Sequence, residues 1–415
     1  MSTDAARYDV VIAGGGMVGA SLALALSRYS EGRLSVLLVE SFPLPSADSA
    51  PVYRPSFDAR STALSYGSRQ ILDSVGAWDA LQAHLTAITR IHVSDRGHIG
   101  SALLTAQEQG WDALGYVVEN AWLGNVLLSA LHSAPGVECA SPASVTSVTG
   151  HNDLASLQLQ YREGETQTIE CRLLAVADGA QSGLRSALGI AGKVVDYGQQ
   201  AVIANVCFEK PHGGIAYERF TDQGPLALLP LSNSERNEAR AALVWTLSQE
   251  DATALLAASD EAFLARLQKR FGYRQGRLLR VGERGCFPLQ LVEAEEQVRP
   301  NTVVMGNAAH SLHPVAGQGF NLALRDVARL ARLLAALPEA ELGKLSHLQA
   351  YLDKQHSDQR STVEFSHQLP GLFAHKSPFF SLGRNLGLLA LDVLPAAKAR
   401  FVEQAAGLAP GNARG

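Results

Sequence analysis

The chain has 415 residues, which is more than one compact hydrophobic core usually takes, so we expect two intertwined domains. Hydrophobic residues make up 47% and charged residues 18% of the chain, as in an apolar-rich globular protein. The net charge of −5 and the lack of a basic cluster argue against a nucleic-acid partner.

Cysteines and apolar segments indicate the compartment. The four cysteines are widely spaced and form no Cys-x-x-Cys motif, so we expect free thiols in a reducing compartment. No stretch reaches about 18 uninterrupted apolar residues, and the N-terminal apolar run is interrupted by glycines, unlike a signal peptide. We therefore expect a cytoplasmic protein. His310 and His313 form only a weak metal-binding pair, so no metal is expected.

The first predicted element carries the most information. Residues 10–13 form an apolar run typical of a buried strand, which leads through Gly14-x-Gly16-x-x-Gly19 into an apolar helical segment at 20–27. In this pattern the first glycine permits a tight turn, the second lets a pyrophosphate approach, and the third lets helix and strand pack closely. The sequence therefore predicts a dinucleotide-binding turn in front of a helix N-terminus.

A second apolar run, residues 35–39, ends at Glu40, which lies 21 residues after Gly19. An acidic residue at about this distance accepts hydrogen bonds from the ribose of a bound dinucleotide. FAD and NAD share this fingerprint, so the two motifs alone leave the choice of dinucleotide open.

Loops, helices and strands alternate in the next part of the chain. Residues 41–57 are rich in proline and serine and predict a surface loop, and residues 58–75, which include Arg60, predict a helix. Residues 88–96 alternate like a strand, and residues 117–131 have the pattern of an amphipathic helix.

The next strands end in a second motif. The last of them runs into Asp178-Gly179, with Ser182 shortly after. Asp-Gly is typical of a turn and Ser182 can cap the following helix, so turn structure and ligand binding explain this motif equally well. The predicted strands lie at 139–148, 154–161 and 168–177.

Strong alternation of apolar residues marks the region from about 195 to 285. It predicts a mixed or antiparallel sheet interrupted by a helix near 260–271, which we interpret as a second domain inserted into the first. The predicted strands include 201–208, 226–231 and 241–246.

A second glycine motif follows the inserted region. Residues 302–305 predict a strand that leads into Gly306, and the glycine-rich loop 317–319 precedes a helix predicted for 322–337. A helix N-terminus favours anionic or electron-rich groups, and the loop N–H groups can converge on one atom.

The chain contains three motifs whose order and spacing matter together. They are Gly14-x-Gly16-x-x-Gly19, Asp178-Gly179-x-x-Ser182-x-x-Arg185, and Gly306-Asn-Ala-Ala-His-x-x-x-Pro314-x-x-Gly317-Gln-Gly319-x-Asn321. Together with Arg60 they resemble the class A flavoprotein aromatic hydroxylases from residue 10 to about 326. The resemblance implies an α/β fold of the para-hydroxybenzoate hydroxylase type: a Rossmann-like FAD-binding domain, an inserted mixed β-sheet substrate domain and a C-terminal helical segment. The implied boundaries are 1–75, 112–190 and 286–365 for the FAD-binding domain, 76–111 and 191–285 for the substrate domain, and 366–415 for the C-terminal segment.

Within that class, residues 312–326 resemble the signature of the hydroxylases of ubiquinone biosynthesis, and residues 91–97 and 218–230 are most similar to the branch that acts on 2-octaprenyl-6-methoxyphenol. This resemblance implies FAD as cofactor, NAD(P)H as co-substrate, and conversion of 2-polyprenyl-6-methoxyphenol to the 1,4-benzoquinol through a C4a-hydroperoxyflavin. It implies as partners a polyprenyl phenol, O2, other ubiquinone-biosynthesis proteins and further copies of the chain, with peripheral contact at the inner membrane. The sequence contains no second Gly-x-Gly-x-x-Gly, so NAD(P)H is expected to have no dinucleotide domain of its own.

The resemblance also implies roles for site residues. Arg60 lies near the flavin and pyrophosphate, and the backbone carbonyl of Pro314 lies beside the substrate phenol; these two are the expected catalytic residues. Asn307 replaces the aspartate usual in this class, so we expect altered FAD affinity rather than loss of FAD. His310 is a candidate base, with a structural role favoured. The expected cofactor-binding residues are Gly14, Gly16, Gly19, Glu40, Arg60, Asp178, Gly179, Gly306, Asn307, Gly317, Gln318, Gly319 and Asn321.

The C-terminal segment has two interpretations. Residues 372–394 are largely apolar and are followed by the mixed segment 396–401. In the first interpretation these residues form helices that pack on the rest of the protein or on a partner subunit. In the second they form an interfacial surface that takes the substrate from the bilayer. In the second case the headgroup contacts are Lys376, Arg384, Lys398 and Arg400.

Other functions remain as alternatives. The same chemistry could act at another ring carbon of the ubiquinone precursor or on an unrelated phenol. A flavin reductase is a further alternative, and so is a halogenase, although the Trp-x-Trp-x-x-Ile segment usual in halogenases does not occur. The last alternative is a non-catalytic FAD-binding scaffold.

Overall fold

The computed structural model describes residues 5–45, 60–96, 101–151, 153–234, 236–312, 317–374, 402–403 and 406–407. All statements about structure below concern these residues.

The strands fall into three sheets. In chain order they are β1 (Ala6–Ala13), β2 (Val36–Val39), β3 (Ser61–Ser65), β4 (Thr86–Ile88), β5 (Arg90–Asp95), β6 (Ser101–Thr105), β7 (Gly115–Glu119), β8 (Val137–Ala140), β9 (Ala143–His151), β10 (Leu154–Tyr161), β11 (Thr166–Val176), β12 (Gly192–Phe208), β13 (Ile215–Thr221), β14 (Gly224–Leu231), β15 (Ala239–Ser248), β16 (Leu278–Ala294), β17 (Val298–Arg299), β18 (Thr302–Val304) and β19 (His310–Ser311).

The helices pack on the faces of these sheets. In chain order they are α1 (Met17–Tyr29), α2 (Tyr66–Ser74), α3 (Trp78–Gln82), α4 (Ala106–Gln109), α5 (Asn120–Leu131), α6 (Gly183–Ala187), α7 (Gln249–Leu256), α8 (Asp260–Phe271), α9 (Gln318–Ala336) and α10 (Leu345–Ala374).

The first sheet has the order β17-β18-β11-β1-β2-β8, and the antiparallel pair β9–β10 extends it beside β11. Strand β1 is apolar at every position of its second half because both of its faces are covered. Val10 and Ile12 pack into a core with the helices α1, α5 and α9, whereas Val11 and Ala13 pack into a second core with β10 and α6. The first sheet is therefore the middle layer of the part of the protein that carries the glycine motif.

The second sheet has the order β19-β16-β12-β15-β14-β13-β5-β6, and it is mixed because β13 and β5 run parallel. This confirms the predicted mixed sheet, and α8 lies where the sequence predicts a helix. One face of the sheet packs against Phe263, Leu267 and Phe271 of α8. We call the opposite face the inner face; there Ala216 and Ala242 pack with Ile88 and Val117.

The third, smaller sheet has the order β3-β7-β4 and corrects two predictions. Residues 61–65 form a strand before α2 rather than the start of a helix, and residues 115–119 form a strand before α5. The two strands pair with each other, with Ser61 opposite Glu119 and Ser65 opposite Gly115. Pairing over this distance in sequence overrides the local helical pattern.

A buried ion pair joins the small sheet to the inner face. Arg240 of β15 is fully buried, and its Nη1 lies 3.2 Å from Oε1 of Glu119, which is also buried. The Arg240 Nε donates to the Ser232 carbonyl at 2.8 Å. This pair fixes the second sheet against the elements that carry β3 and β7.

Candidate functional site

Four motifs of the sequence meet at one edge of the first sheet. Strands β18, β11, β1 and β2 lie side by side and run parallel, with Ala13 opposite both Val176 and Val39, and Val176 opposite Val304. Parallel strands end at the same edge, and ligands of open α/β sheets bind there. The residues just beyond these ends are Gly306, Asp178, Gly14 and Glu40.

The first glycine turn is required by close packing. Gly14 has φ +107°, and a Cβ there would lie 2.5 Å from the Ala177 carbonyl oxygen. A Cβ at Gly19 would lie 1.9 Å from the Gly14 carbonyl oxygen, so no side chain fits between α1 and the turn. At Gly16, in contrast, a Cβ would meet nothing within 4 Å. The fold itself requires Gly14 and Gly19, and it leaves open space in front of Gly16.

That open space lies at the N-terminus of α1. Among the described residues, no side chain caps this end and its first turn carries no acid. The N–H groups of the first turn therefore remain available to an anion, which the helix dipole also favours.

Glu40 stands directly beside the turn. Its Oε2 accepts a hydrogen bond from the Gly15 N–H at 2.6 Å, while Oε1 accepts from the Phe42 N–H at 2.9 Å. These bonds hold the carboxylate next to the predicted phosphate-binding turn, where the ribose of a dinucleotide would lie.

Asp178 and Gly179 follow β11 on the other side of Gly14. Asp178 is exposed, and its Oδ2 accepts from the Leu184 N–H at 3.2 Å. Ser182 caps α6 through the Arg185 N–H at 2.9 Å, as the sequence predicts. The side chain of Arg185 then reaches across to the Ala308 carbonyl at 2.7 Å. Arg185 thus binds the second motif to the third, a link that the sequence alone does not reveal.

The third motif rests on the first turn of α1. Gly306 has φ +58°, and a Cβ there would lie 3.0 Å from Cγ2 of Val18. The neighbouring Asn307 is exposed at the same edge of the sheet as Gly14 and Asp178. An exposed amide at this position can hydrogen-bond to hydroxyl groups of a ligand.

The glycine loop before α9 lies against the small sheet. Gly317 has φ +61°, and a Cβ there would lie 3.2 Å from the Ala63 Cβ. Gln318 is buried, whereas Gly319 is half-buried with open space around it. The loop therefore offers backbone at the N-terminus of α9 to a ligand.

Asn321 anchors this loop. Its Oδ1 accepts from the Ser65 N–H at 2.8 Å and from the Ser68 hydroxyl at 2.6 Å. Its Nδ2 donates to the carbonyls of Ala63 at 2.8 Å and Gly317 at 2.7 Å. With its amide bonded to protein at every position, Asn321 holds the loop in place.

The two expected catalytic residues are placed differently. Arg60 is exposed at the start of β3, and its carbonyl accepts from the Asn120 N–H at 3.2 Å. Pro314 lies outside the described residues, as do His313 and the four basic residues expected near lipid headgroups.

His310 belongs to a buried polar cluster between α9 and α10. Its Nε2 lies 3.3 Å from Oδ2 of Asp326, and both side chains are almost fully buried. Asp326 also accepts from the side-chain amides of Gln355 and Gln359. Burial, together with the nearby Asp326 carboxylate, raises the pKa of Tyr351 well above its usual value. The periodicity of α9 indicates a buried helix, but it does not indicate that this cluster ties α9 to α10.

Among the described helices, none combines the length and the apolar character that crossing a bilayer requires.

Comparisons with known proteins agree with this geometry. The sequence model of the FAD-binding-domain family matches residues 7–366. The chain is 34% identical to ubiquinone hydroxylase UbiL of Rhodospirillum rubrum over 96% of this chain and 89% of that protein. It is 32% identical to the 3-demethoxyubiquinol 3-hydroxylase of Escherichia coli over 96% of this chain and 98% of that protein.

A solved structure shows the same fold. The p-nitrophenol 4-monooxygenase PnpA of Pseudomonas putida superposes with a TM-score of 0.75 at 18% identity, covering 97% of this chain and 99% of that one.

The site residues fit FAD because they combine an uncapped helix end, open space at Gly16 and a carboxylate beside the turn. The chain therefore belongs to the FAD-binding-domain family and is an FAD-dependent aromatic hydroxylase.

Proposed function

We propose that this protein hydroxylates the aromatic ring of a polyprenyl phenol in ubiquinone biosynthesis, converting 2-polyprenyl-6-methoxyphenol to the 1,4-benzoquinol. The observation that carries the proposal is the match, over nearly the whole chain, to a protein named ubiquinone hydroxylase at 34% identity. When bound, FAD would take two electrons from NAD(P)H and deliver one atom of O2 to the ring, the other leaving as water.

Different residues at the sheet edge would bind different parts of the cofactor. The α1 N-terminus and Gly16 would bind the pyrophosphate, and Glu40 the ribose. Asn307 would bind the ribityl chain, and the backbone of the 317–319 loop would face the flavin ring. Asp178, Gly179 and Arg60 would border the flavin cleft; Gly14, Gly19, Gly306 and Asn321 would act by holding the backbone in place.

The role of Glu40 gives a direct binding test. We expect Glu40→Gln to weaken FAD binding about tenfold, because a neutral amide replaces a charged acceptor for the ribose hydroxyls. Titration of the apoprotein with FAD, followed by flavin fluorescence, measures the change. Glu138→Gln, which makes the same charge change within the neighbouring strand β8, should leave the affinity unaltered. Equal affinities for the wild type and Glu40→Gln would remove Glu40 from the site.

The proposed reaction is tested in the host. Deleting the gene and growing the cells in air should remove ubiquinone and accumulate a polyprenyl methoxyphenol, detected by mass spectrometry of lipid extracts. Return of the wild-type gene should restore ubiquinone. An unchanged quinone pool in the deletion strain would contradict a role in this pathway.

A sibling reaction at another ring carbon is the second candidate, and the E. coli relative named 3-demethoxyubiquinol 3-hydroxylase favours it. In that case the deletion strain would accumulate demethoxy-ubiquinone. Stimulation of NAD(P)H oxidation by the phenol would exclude a non-catalytic FAD scaffold in either case.

A further inference from the structure

Strand β13 alternates between the two faces of the second sheet. Tyr217 packs edge-on against Phe271 of α8, with ring centroids 5.2 Å apart. Its neighbour Ala216 packs instead with Val117 on the inner face. Because alternate residues of a strand share a face, Glu218 lies on the inner face together with Ala216.

A short path of contacts joins Glu218 to the glycine loop. Gly317 lies against Ala63, which is paired with Val117 in the small sheet. Val117 in turn packs with Ala216, and Glu218 follows on the same face, about 7 Å further along the strand. Glu218 thus lies on the face of β13 that packs, through Val117, against the small sheet on which the predicted flavin loop rests.

The immediate surroundings of Glu218 on the sheet are apolar. Val93 of β5 and Ala227 of β14 lie directly opposite it, and Ala216 and Phe220 flank it along the strand. The side chain is half-buried, and within the described part of the chain nothing forms a hydrogen bond or an ion pair with its carboxylate. A carboxylate held in such surroundings is expected to have a ligand as its partner.

The charged groups on the neighbouring described strands do not offset the charge of the Glu218 carboxylate. Strand β5 places Asp95 opposite Phe220, two pairs further along, and β15 carries the Arg240 that pairs with Glu119. The inner face of β14 presents uncharged side chains only, at Pro225, Ala227, Leu229 and Leu231. Burial alone raises the pKa of Glu218 to about 7.

We propose that Glu218 is a catalytic residue that accepts the hydroxyl proton of the substrate phenol while the ring is hydroxylated. The proposal rests on the proposed function for the class of substrate, a phenol. The O–H bond of the phenol breaks, its electron pair stays on the oxygen and enriches the ring, and the proton forms the Glu218 carboxylic acid before passing to water. An electron-rich ring reacts faster with an electrophilic oxygen, so the transfer assists the reaction.

Glu218→Gln tests the role with little change of shape. We expect kcat for a short-chain prenylphenol to fall about 100-fold, with KM and FAD content little changed, because the amide still hydrogen-bonds but accepts no proton. A general base must be ionised, so kcat/KM of the wild type should fall as pH drops through about 7. That acid limb should be absent in the variant. Glu283→Gln, an exposed glutamate of the same sheet, is the matched control.

Binding of a nitrophenol gives a readout that needs no turnover, since its phenolate absorbs visible light. In the oxidised FAD-loaded wild type, a carboxyl and a phenol that share one proton should titrate in two steps, and in Glu218→Gln in one. A single step in the wild type, or an acid limb retained by the variant, would overturn the proposal. Two steps in an enzyme that does not hydroxylate the polyprenyl phenol would keep Glu218 and reject only the proposed substrate.

Discussion

Gly19→Ala should yield a protein that binds no FAD. The new Cβ would lie 1.9 Å from the Gly14 carbonyl oxygen, so α1 would have to move away from the turn. The turn cannot yield instead, because the Gly14 N–H donates to the Val39 carbonyl at 2.9 Å and Gly14 itself is packed against Ala177. Overpacking of this kind costs about 1–3 kcal/mol or more and displaces the helix end proposed to bind the pyrophosphate.

The flavin absorbance of the purified variant and its melting temperature measure the two effects separately. Gly124→Ala in α5 is the matched control, because a Cβ there meets nothing within 4 Å and alanine favours a helix. It should keep its FAD and melt no lower than the wild type. Full FAD content in Gly19→Ala would show that the packing of α1 against the turn does not control binding.

Loss of Glu119 is expected to have the largest effect on stability. Glu119→Ala leaves the guanidinium of Arg240 buried beside an empty space, and breaking a buried ion pair in this way costs about 3–5 kcal/mol. Denaturant unfolding measures the change in the free energy of unfolding. Since the pair joins the inner face to the small sheet, substrate binding should also weaken.

The double variant Arg240→Met with Glu119→Leu separates charge from packing. It removes both charges and should recover most of the stability lost in Glu119→Ala. Arg360→Met, which breaks an exposed ion pair with Glu364 on α10, should leave the unfolding curve unchanged. A Glu119→Ala protein as stable as the wild type would mean that water compensates the Arg240 charge.

Local patterns are sufficient to predict the glycine turn that follows β1. The apolar run of β1 and the three glycines after it lie within ten residues. The packing that requires Gly14 and Gly19 is therefore determined by residues that are close in sequence. The role of Asp178 stays ambiguous from local pattern alone. A strand that ends in Asp-Gly has the same sequence pattern at the edge of any sheet, whether or not a ligand binds there. Only the parallel register of β11 beside β1 brings Asp178 next to Gly14.

Pairing between distant segments could not be predicted in the same way. Residues 61–65 and 117–119 continue the pattern of the helix that follows each of them, yet they lie in strands because β3 and β7 pair with each other. Alternation likewise predicts strands in the second sheet but not which face is turned inward, so it does not single out Glu218 from the other residues of segment 218–230. The assignment of Asn321 to the cofactor was based on its motif, whereas its hydrogen bonds all run to the protein.

The adjacency of β11 and β18 has a consequence for evolution and engineering. Val176 lies opposite Val304, so the chain leaves the edge proposed to bind the cofactor and returns to it at neighbouring strands, and Arg185 joins the two at Ala308. A segment whose two ends lie side by side can change in length and sequence while its points of attachment to the first sheet stay where they are. Selection can therefore reshape most of the second sheet, which we propose faces the phenol, while the edge proposed to bind the flavin is kept. Chimeras that exchange this segment between related hydroxylases should have their crossover points next to these two strands.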